Sequence, residues 1–282
     1  MEPLNYDIVR IVLVLFQILI LGYIIIVTGR RARSMRSSIV MVLFIYGIVC
    51  FLLCGFYWLV HVSLREEARI PFGVNEIGEI GVHLLFASML NALMKDAGRP
   101  KGSLPKIIAA AIYSAVMVAL WIGWTGEWVK DILAGIGFGY LICTGIGSLD
   151  RAGAFSKLEW IILGIMSYVL IALQGLIFIL PATTGGIVDI ACYCLMFAGI
   201  AWLAIRTINA FIFARRQKDR KSSVNSLVIL MICFIWISNT MYMSSEPMYF
   251  IAVFTMTLLL ILFPWAVIGT ETAEEGTQDD LC

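Results

Sequence analysis

The chain is short of charge. Only 14% of its 282 residues are Asp, Glu, Lys or Arg, against about a quarter in soluble domains, so nearly half of an ordinary solvated surface is missing. Basic and acidic residues almost cancel, at 20 and 19, which leaves no cationic excess for a nucleic acid. Histidine occurs twice. No HExxH, GxSxG or Walker A sequence is present, which removes the motif routes to a zinc protease, a serine hydrolase or a P-loop nucleotide enzyme. There is also no Asn-x-Ser/Thr acceptor. Of the 7 cysteines, all but Cys282 lie inside apolar runs, which argues against a disulfide framework and for small packing residues. Cys50 and Cys54 share a helix face; Cys192 and Cys194 point apart.

What the sequence has in excess is apolar length. Hydrophobic residues make up 61%, and the mean hydropathy is +0.95. They fall into runs of about 20, the length that crosses a bilayer as a helix. The runs are continuous rather than alternating, which excludes a membrane β-barrel. The predicted fold is therefore all-α, a polytopic membrane protein with nine spans near 8–28, 38–61, 74–94, 106–125, 129–147, 159–180, 186–208, 224–243 and 248–268. Ile11–Val27 is followed by Gly-Arg-Arg-Ala-Arg instead of a small-residue cleavage site, so it reads as a first membrane helix rather than a signal peptide. Residues 1–268 form one transmembrane domain. Residues 269–282, acidic and almost free of apolar side chains, read as a disordered cytoplasmic tail.

Charge sets the orientation. With the N-terminus outside and the C-terminus in the cytoplasm, 16 of the 20 Lys and Arg fall in inner loops and helix ends, leaving Arg10, Arg65, Arg69 and Lys130 outside. That is the positive-inside bias. It also requires 74–94 to cross, because otherwise every later loop changes side. The basic segment 214–223 fits topology and attraction to anionic lipid. The run Arg65-Glu66-Glu67-Ala68-Arg69 reads as solvated loop, and 181–186 (Pro-Ala-Thr-Thr-Gly-Gly) as a turn. Trp58, Trp121, Trp124 and Trp128 read as interfacial anchors. Gly135 and Gly139 form a GxxxG pair that lets a neighbouring backbone approach, in helix packing or in a dimer. Nine spans do not divide into equal inverted halves, which speaks against the paired-repeat transporters.

One span carries groups that a membrane makes expensive. Glu76, Glu79 and His83 fall within a sector of about 60° at 100° per residue. At a rise of 1.5 Å per residue, His83 lies about 16 Å and Glu79 about 22 Å from Met94. A charge near the bilayer centre costs about 2.5–3.5 kcal/mol on insertion scales, so this face should look into the bundle or a wet cavity. His61 and Asp189 lie toward the same outer side, as do Asp131 and Asn239.

The leading expectation is a small solute or cation bound at an outward-facing polar pocket, for transport or sensing. Its ligand-binding or proton-coupling groups are Glu76, Glu79, His83, His61 and Asp189, since carboxylates and imidazoles exchange protons at accessible pH. One alternative is a membrane-embedded metal-dependent hydrolase, because two histidines and two carboxylates suffice for zinc; no cofactor or metal is specified by any motif. The other is a non-catalytic subunit of a membrane complex, in which the stripe only fixes packing. The partners implied are the lipid bilayer and a small solute or cation, with no nucleic acid; a homo-oligomer or a membrane partner subunit is compatible. Compact loops without glycosylation acceptors point to a bacterial plasma membrane.

Overall fold

The structure is a computed structural model of the 282-residue chain; it describes residues 6–34, 38–64, 74–99, 101–179, 182–242 and 246–279. Among these, ten helices and no strand occur: α1 (Tyr6–Ser34), α2 (Ile39–Leu64), α3 (Val74–Asp96), α4 (Leu104–Thr125), α5 (Trp128–Ala152), α6 (Lys157–Ile179), α7 (Ala182–Gln217), α8 (Arg220–Tyr242), α9 (Glu246–Leu260) and α10 (Phe263–Asp279). Nine stretches of them are long and apolar enough to cross a membrane. In lipid every backbone amide must be paired within the segment, so uninterrupted apolar runs become helices.

Local signals set the ends. Ser156 and Glu159 form a reciprocal capping box at the start of α6: the Ser156 N–H donates to Glu159 Oε2 at 2.8 Å, and the Glu159 N–H to Ser156 Oγ at 3.4 Å. Gly126 closes α4 in the left-handed region, φ 71°, its N–H donating to the Ile122 carbonyl at 3.1 Å. Asp219 caps α8, accepting from the Ser222 N–H at 2.6 Å and the Ser222 hydroxyl at 2.9 Å.

Two stretches differ from the sequence expectation. The ninth span, Met248–Glu271, is two helices rather than one. Pro264 has no N–H to donate to the Leu260 carbonyl and its ring crowds that turn. The chain tightens there through Ile261 N–H to Leu258 and Leu262 N–H to Leu259 carbonyls. α10 then carries helix through Asp279, into the stretch for which composition suggests disorder. Its Glu271 is only 9% exposed and accepts a hydrogen bond from the Ser38 hydroxyl at the start of α2. At the other stretch, Pro181 lies outside the described residues, and 182–186 is already the opening of α7 rather than a turn. The charge run 65–69 also lies outside the described residues.

The bundle is organised around α8. In its most apolar window 89% of residues are buried, against 56% for α5 and for the ninth span and 22–33% for α1, α4, α6 and α7. α8 packs against α5, α7, α9 and α10, while α3 sits between α2 and α5. Around it α1, α4, α6 and α7 turn large apolar side chains outward, among them Leu19, Ile112, Ile165 and Ile205, as lipid requires. The GxxxG pair serves internal packing: a methyl at Gly135 would collide with Val118 of α4, and one at Gly139 would meet the Ser114 Cβ at 3.1 Å. Cys50 and Cys54 pack beside Gly81 and Gly78 of α3, and the described cysteines form no disulfide with one another.

Polar clamps gather at the end that carries the basic loops. Lys106 at the start of α4 pairs with Asp150 at the end of α5, 2.5 Å. Arg206 on α7 pairs with Glu159 at the start of α6, 2.6 Å. Neighbouring helices are therefore antiparallel, and the cationic loops share one end of the bundle.

Candidate functional site

The expected stripe on α3 is buried against the bundle. Glu76 is 6% and His83 5% exposed, with Glu79 half-buried. Glu79 and His83 line one cavity of about 180 Å³, walled by Phe51 of α2, Val82 of α3, Phe234, Ser238 and Met241 of α8, and Tyr249 and Met256 of α9. By helix register it lies in the half of the bundle away from the basic end: Glu79 is in the second turn of α3 and Met241 in the last turn of α8. From Phe234 to Met241 it runs about 10 Å along α8.

The imidazole is held and left wanting. The His83 ring packs on Phe138 of α5 with centroids 4.9 Å apart, and Phe138 in turn stacks on Trp121 at 6.1 Å. His83 Nδ1 is buried and has no hydrogen-bond partner among the described residues. A buried ring nitrogen without a partner is costly, and here it belongs to a side chain on the wall of a space large enough to hold one. A carboxylate, an imidazole and the Ser238 hydroxyl thus share a cavity whose remaining walls include three aromatic rings. Such a lining suits a small cation or ammonium group, which a carboxylate and aromatic faces both attract.

The cavity is closed toward the basic end. One turn below His83, Phe86 stacks on Phe44 of α2 at 6.3 Å and on Phe263 of α10 at 6.0 Å, and meets Phe234 of α8 edge-on at 5.4 Å. Phe44, Phe86 and Phe263 are essentially fully buried. Four rings from four helices therefore form a plug under the site. At the opposite rim the Arg10 guanidinium of α1 lies 5.8 Å from the Tyr249 ring centroid.

The other expected residues are elsewhere. Glu76, His61 and Asp189 are not among the described residues that line this cavity. His61 sits at the end of α2 beside Tyr57, ring centroids 6.2 Å apart. Asp189 lies half-buried on α7 near Cys192, and Glu76 is buried one turn before Glu79. Asp131 is buried in the first turn of α5. Among the described residues no group of three His, Cys, Asp or Glu could hold a metal ion, so the hydrolase alternative finds no ligand set there. Trp121, expected as an interfacial anchor, is 5% exposed and packs inward, while Trp124 and Trp128 remain exposed.

Sequence reasoning placed Asn239 toward the outer side with the other polar groups but did not find its partner or its cavity. On α8, Ser238 faces the His83 cavity, but the adjacent Asn239 lines a different and larger one beside α4, where its amide donates to the Tyr113 hydroxyl at 2.8 Å. The aromatic plug was missed as well, because its rings come from 44, 86, 234 and 263 and no spacing links them.

No protein-family model, no curated protein and no solved structure matches this chain. What the fold defines is a class: the protein is a multi-pass helical membrane protein.

Proposed function

We propose that this protein binds a small cationic or hydrogen-bonding solute in the Glu79–His83 cavity, for transport across the membrane or for sensing at it. The observation that carries this reading is one cavity of about 180 Å³ that joins a carboxylate to a buried, unpartnered imidazole nitrogen inside an apolar bundle. Its size lies below the roughly 300–1,000 Å³ of pockets for drug-sized ligands, which favours an inorganic cation or a small amine. Glu79 supplies the negative charge, His83 and Ser238 the hydrogen bonds, and Phe51, Phe234 and Tyr249 the aromatic faces. The phenylalanine plug makes the site a blind pocket, so transport would require Phe86 and its partners to part. The positive-inside charge distribution favours an opening to the outside, and the compact, acceptor-free loops favour a bacterial plasma membrane.

The test uses purified protein in nanodiscs and in proteoliposomes, screened with alkali cations, ammonium, methylated amines and small amino acids. A solute at a hundred times its Kd stabilises the folded state by about 2.7 kcal/mol, visible as a raised unfolding temperature. Glu79→Gln and His83→Ala should abolish that rise and any uptake. If both variants keep ligand-induced stabilisation, uptake and proton coupling at wild-type levels, this reading is wrong.

A further inference from the structure

α4, α5, α6 and α8 enclose a second cavity of about 330 Å³ on the opposite side of α8, almost entirely apolar and open at one side. Its basic end is closed by Lys106, which is paired to Asp150 and lies 4.0 Å over the Trp160 ring. Tyr168 spans the gap between α6 and α4, its hydroxyl donating to the Ala109 carbonyl at 3.0 Å. Trp236 forms part of the α8 wall, its own N–H already given to the Met196 carbonyl at 3.3 Å.

Within this apolar space Ser167 lies on the α6 wall, and a buried polar pair joins α8 to α4. Asn239 is 3% exposed, and its Oδ1 has no hydrogen-bond partner among the described residues. Its Nδ2 donates to the Tyr113 hydroxyl, which accepts that bond and keeps its own proton to give. The pair therefore offers one acceptor atom, Asn239 Oδ1, beside two donor hydrogens, the Tyr113 O–H and the second N–H of the amide. Turning the Asn239 amide over lets the Tyr113 O–H donate to Oδ1 and leaves the amide N–H groups as donors and the Tyr113 oxygen as acceptor, so both functions remain on offer. Tyr113 stands about 14 Å from the first residue of α4 and about 18 Å from the last, while Asn239 lies in the last turn of α8. At 3% exposure the Asn239 carbonyl has little access to water, and leaving it bare is costly.

We propose that this cavity binds a lipophilic alcohol: an apolar body against Trp160, Tyr168 and Trp236, with one hydroxyl seated between Asn239 and Tyr113. A hydroxyl both donates and accepts, so it pairs with the acceptor and with one of the donors at once. A carbonyl or ether would leave Asn239 Oδ1 unpaired, and an acyl chain of a bilayer phospholipid would leave both groups so. This site is separate from the Glu79–His83 cavity, and each can fail without the other.

The experiment uses the full chain in phosphatidylcholine nanodiscs and follows tryptophan fluorescence, since Trp160 and Trp236 line the cavity. The probes are a dibrominated octadecanol, the dibrominated octadecane of the same length, and phosphatidylcholine with dibrominated chains. The alcohol should give a saturable component of quenching, absent for the alkane and for the phospholipid. Trp160→Phe with Trp236→Phe should remove that component. Asn239→Leu should weaken the alcohol by about tenfold. Should Asn239→Leu not fold, Gly164→Leu serves instead: Gly164 lines the cavity and a Cβ there meets nothing within 4 Å, so a larger side chain has room to start and should weaken binding as much. Equal quenching by alcohol and alkane, or saturable quenching by the phospholipid, would overturn the proposal, as would unchanged affinity in both variants.

Discussion

Phe86 shows what a single side chain does in this molecule. It is fully buried and touches rings from α2, α8 and α10, so it both seals the Glu79–His83 cavity and ties four helices together. In a soluble core Phe→Ala costs about 3–5 kcal/mol. Within a bilayer the transfer from water drops out and lost contact dominates, so Phe86→Ala should cost about 3 kcal/mol, at the low end. Unfolding by denaturant in mixed micelles measures this, and a loss near zero would mean that the rings are not packed as described. His83 differs from Phe86 in kind. Its ring is packed on Phe138 but its Nδ1 has no hydrogen-bond partner among the described residues, which is what the proposed ligand site rests on.

At the scale of the element, α8 depends on its cap. The carboxyl of Asp219, outside the membrane, is held below its ordinary value near 3.8 by the Ser222 N–H, with the Ser222 hydroxyl and the Lys221 charge adding to it. A depressed carboxyl contributes stability that is present above its unfolded value and lost as pH falls through the folded one. Asp219→Ala should therefore destabilise the protein by about 1 kcal/mol at pH 7, and the difference from wild type should vanish as the pH drops below the ordinary carboxylate range. Heat-induced fluorescence transitions at pH 7 and at pH 3 test this; an equal gap at both would remove the cap from the account. The broken ninth span makes the opposite point. Pro264 interrupts it just past the helix that supplies Tyr249 and Met256 to the cavity, and interrupted helices are where membrane proteins expose backbone near binding sites.

The whole molecule is polarised by charge. Its basic loops share one end with the Lys106–Asp150 and Arg206–Glu159 pairs, and the Glu79–His83 cavity lies in the other half. If the positive-inside rule sets orientation, a cysteine replacing Gln217 should react with a membrane-impermeant maleimide only after cells are permeabilised. One replacing Lys130 should react in intact cells. Both are read in a Cys282→Ser background. The reverse pattern would put the Glu79–His83 cavity on the cytoplasmic side and turn the reading from uptake to release.

The sequence by itself determined the class, the spans and the charge asymmetry, because run length and loop charge are one-dimensional quantities that a bilayer reads directly. It also marked α3, since Glu79 and His83 in an apolar run are expensive wherever they point. It did not reveal that α8 is the centre. Apart from such polar positions the spans are apolar on all sides, so hydrophobicity cannot separate a face packed on protein from a face packed on lipid. Only the tertiary structure could show that Glu79 and His83 share a cavity from which Glu76, His61 and Asp189 are absent. The pairing of Asn239 with Tyr113, 126 residues apart, is of the same kind: a contact set by the packing of helices that carry no trace of each other in their sequence.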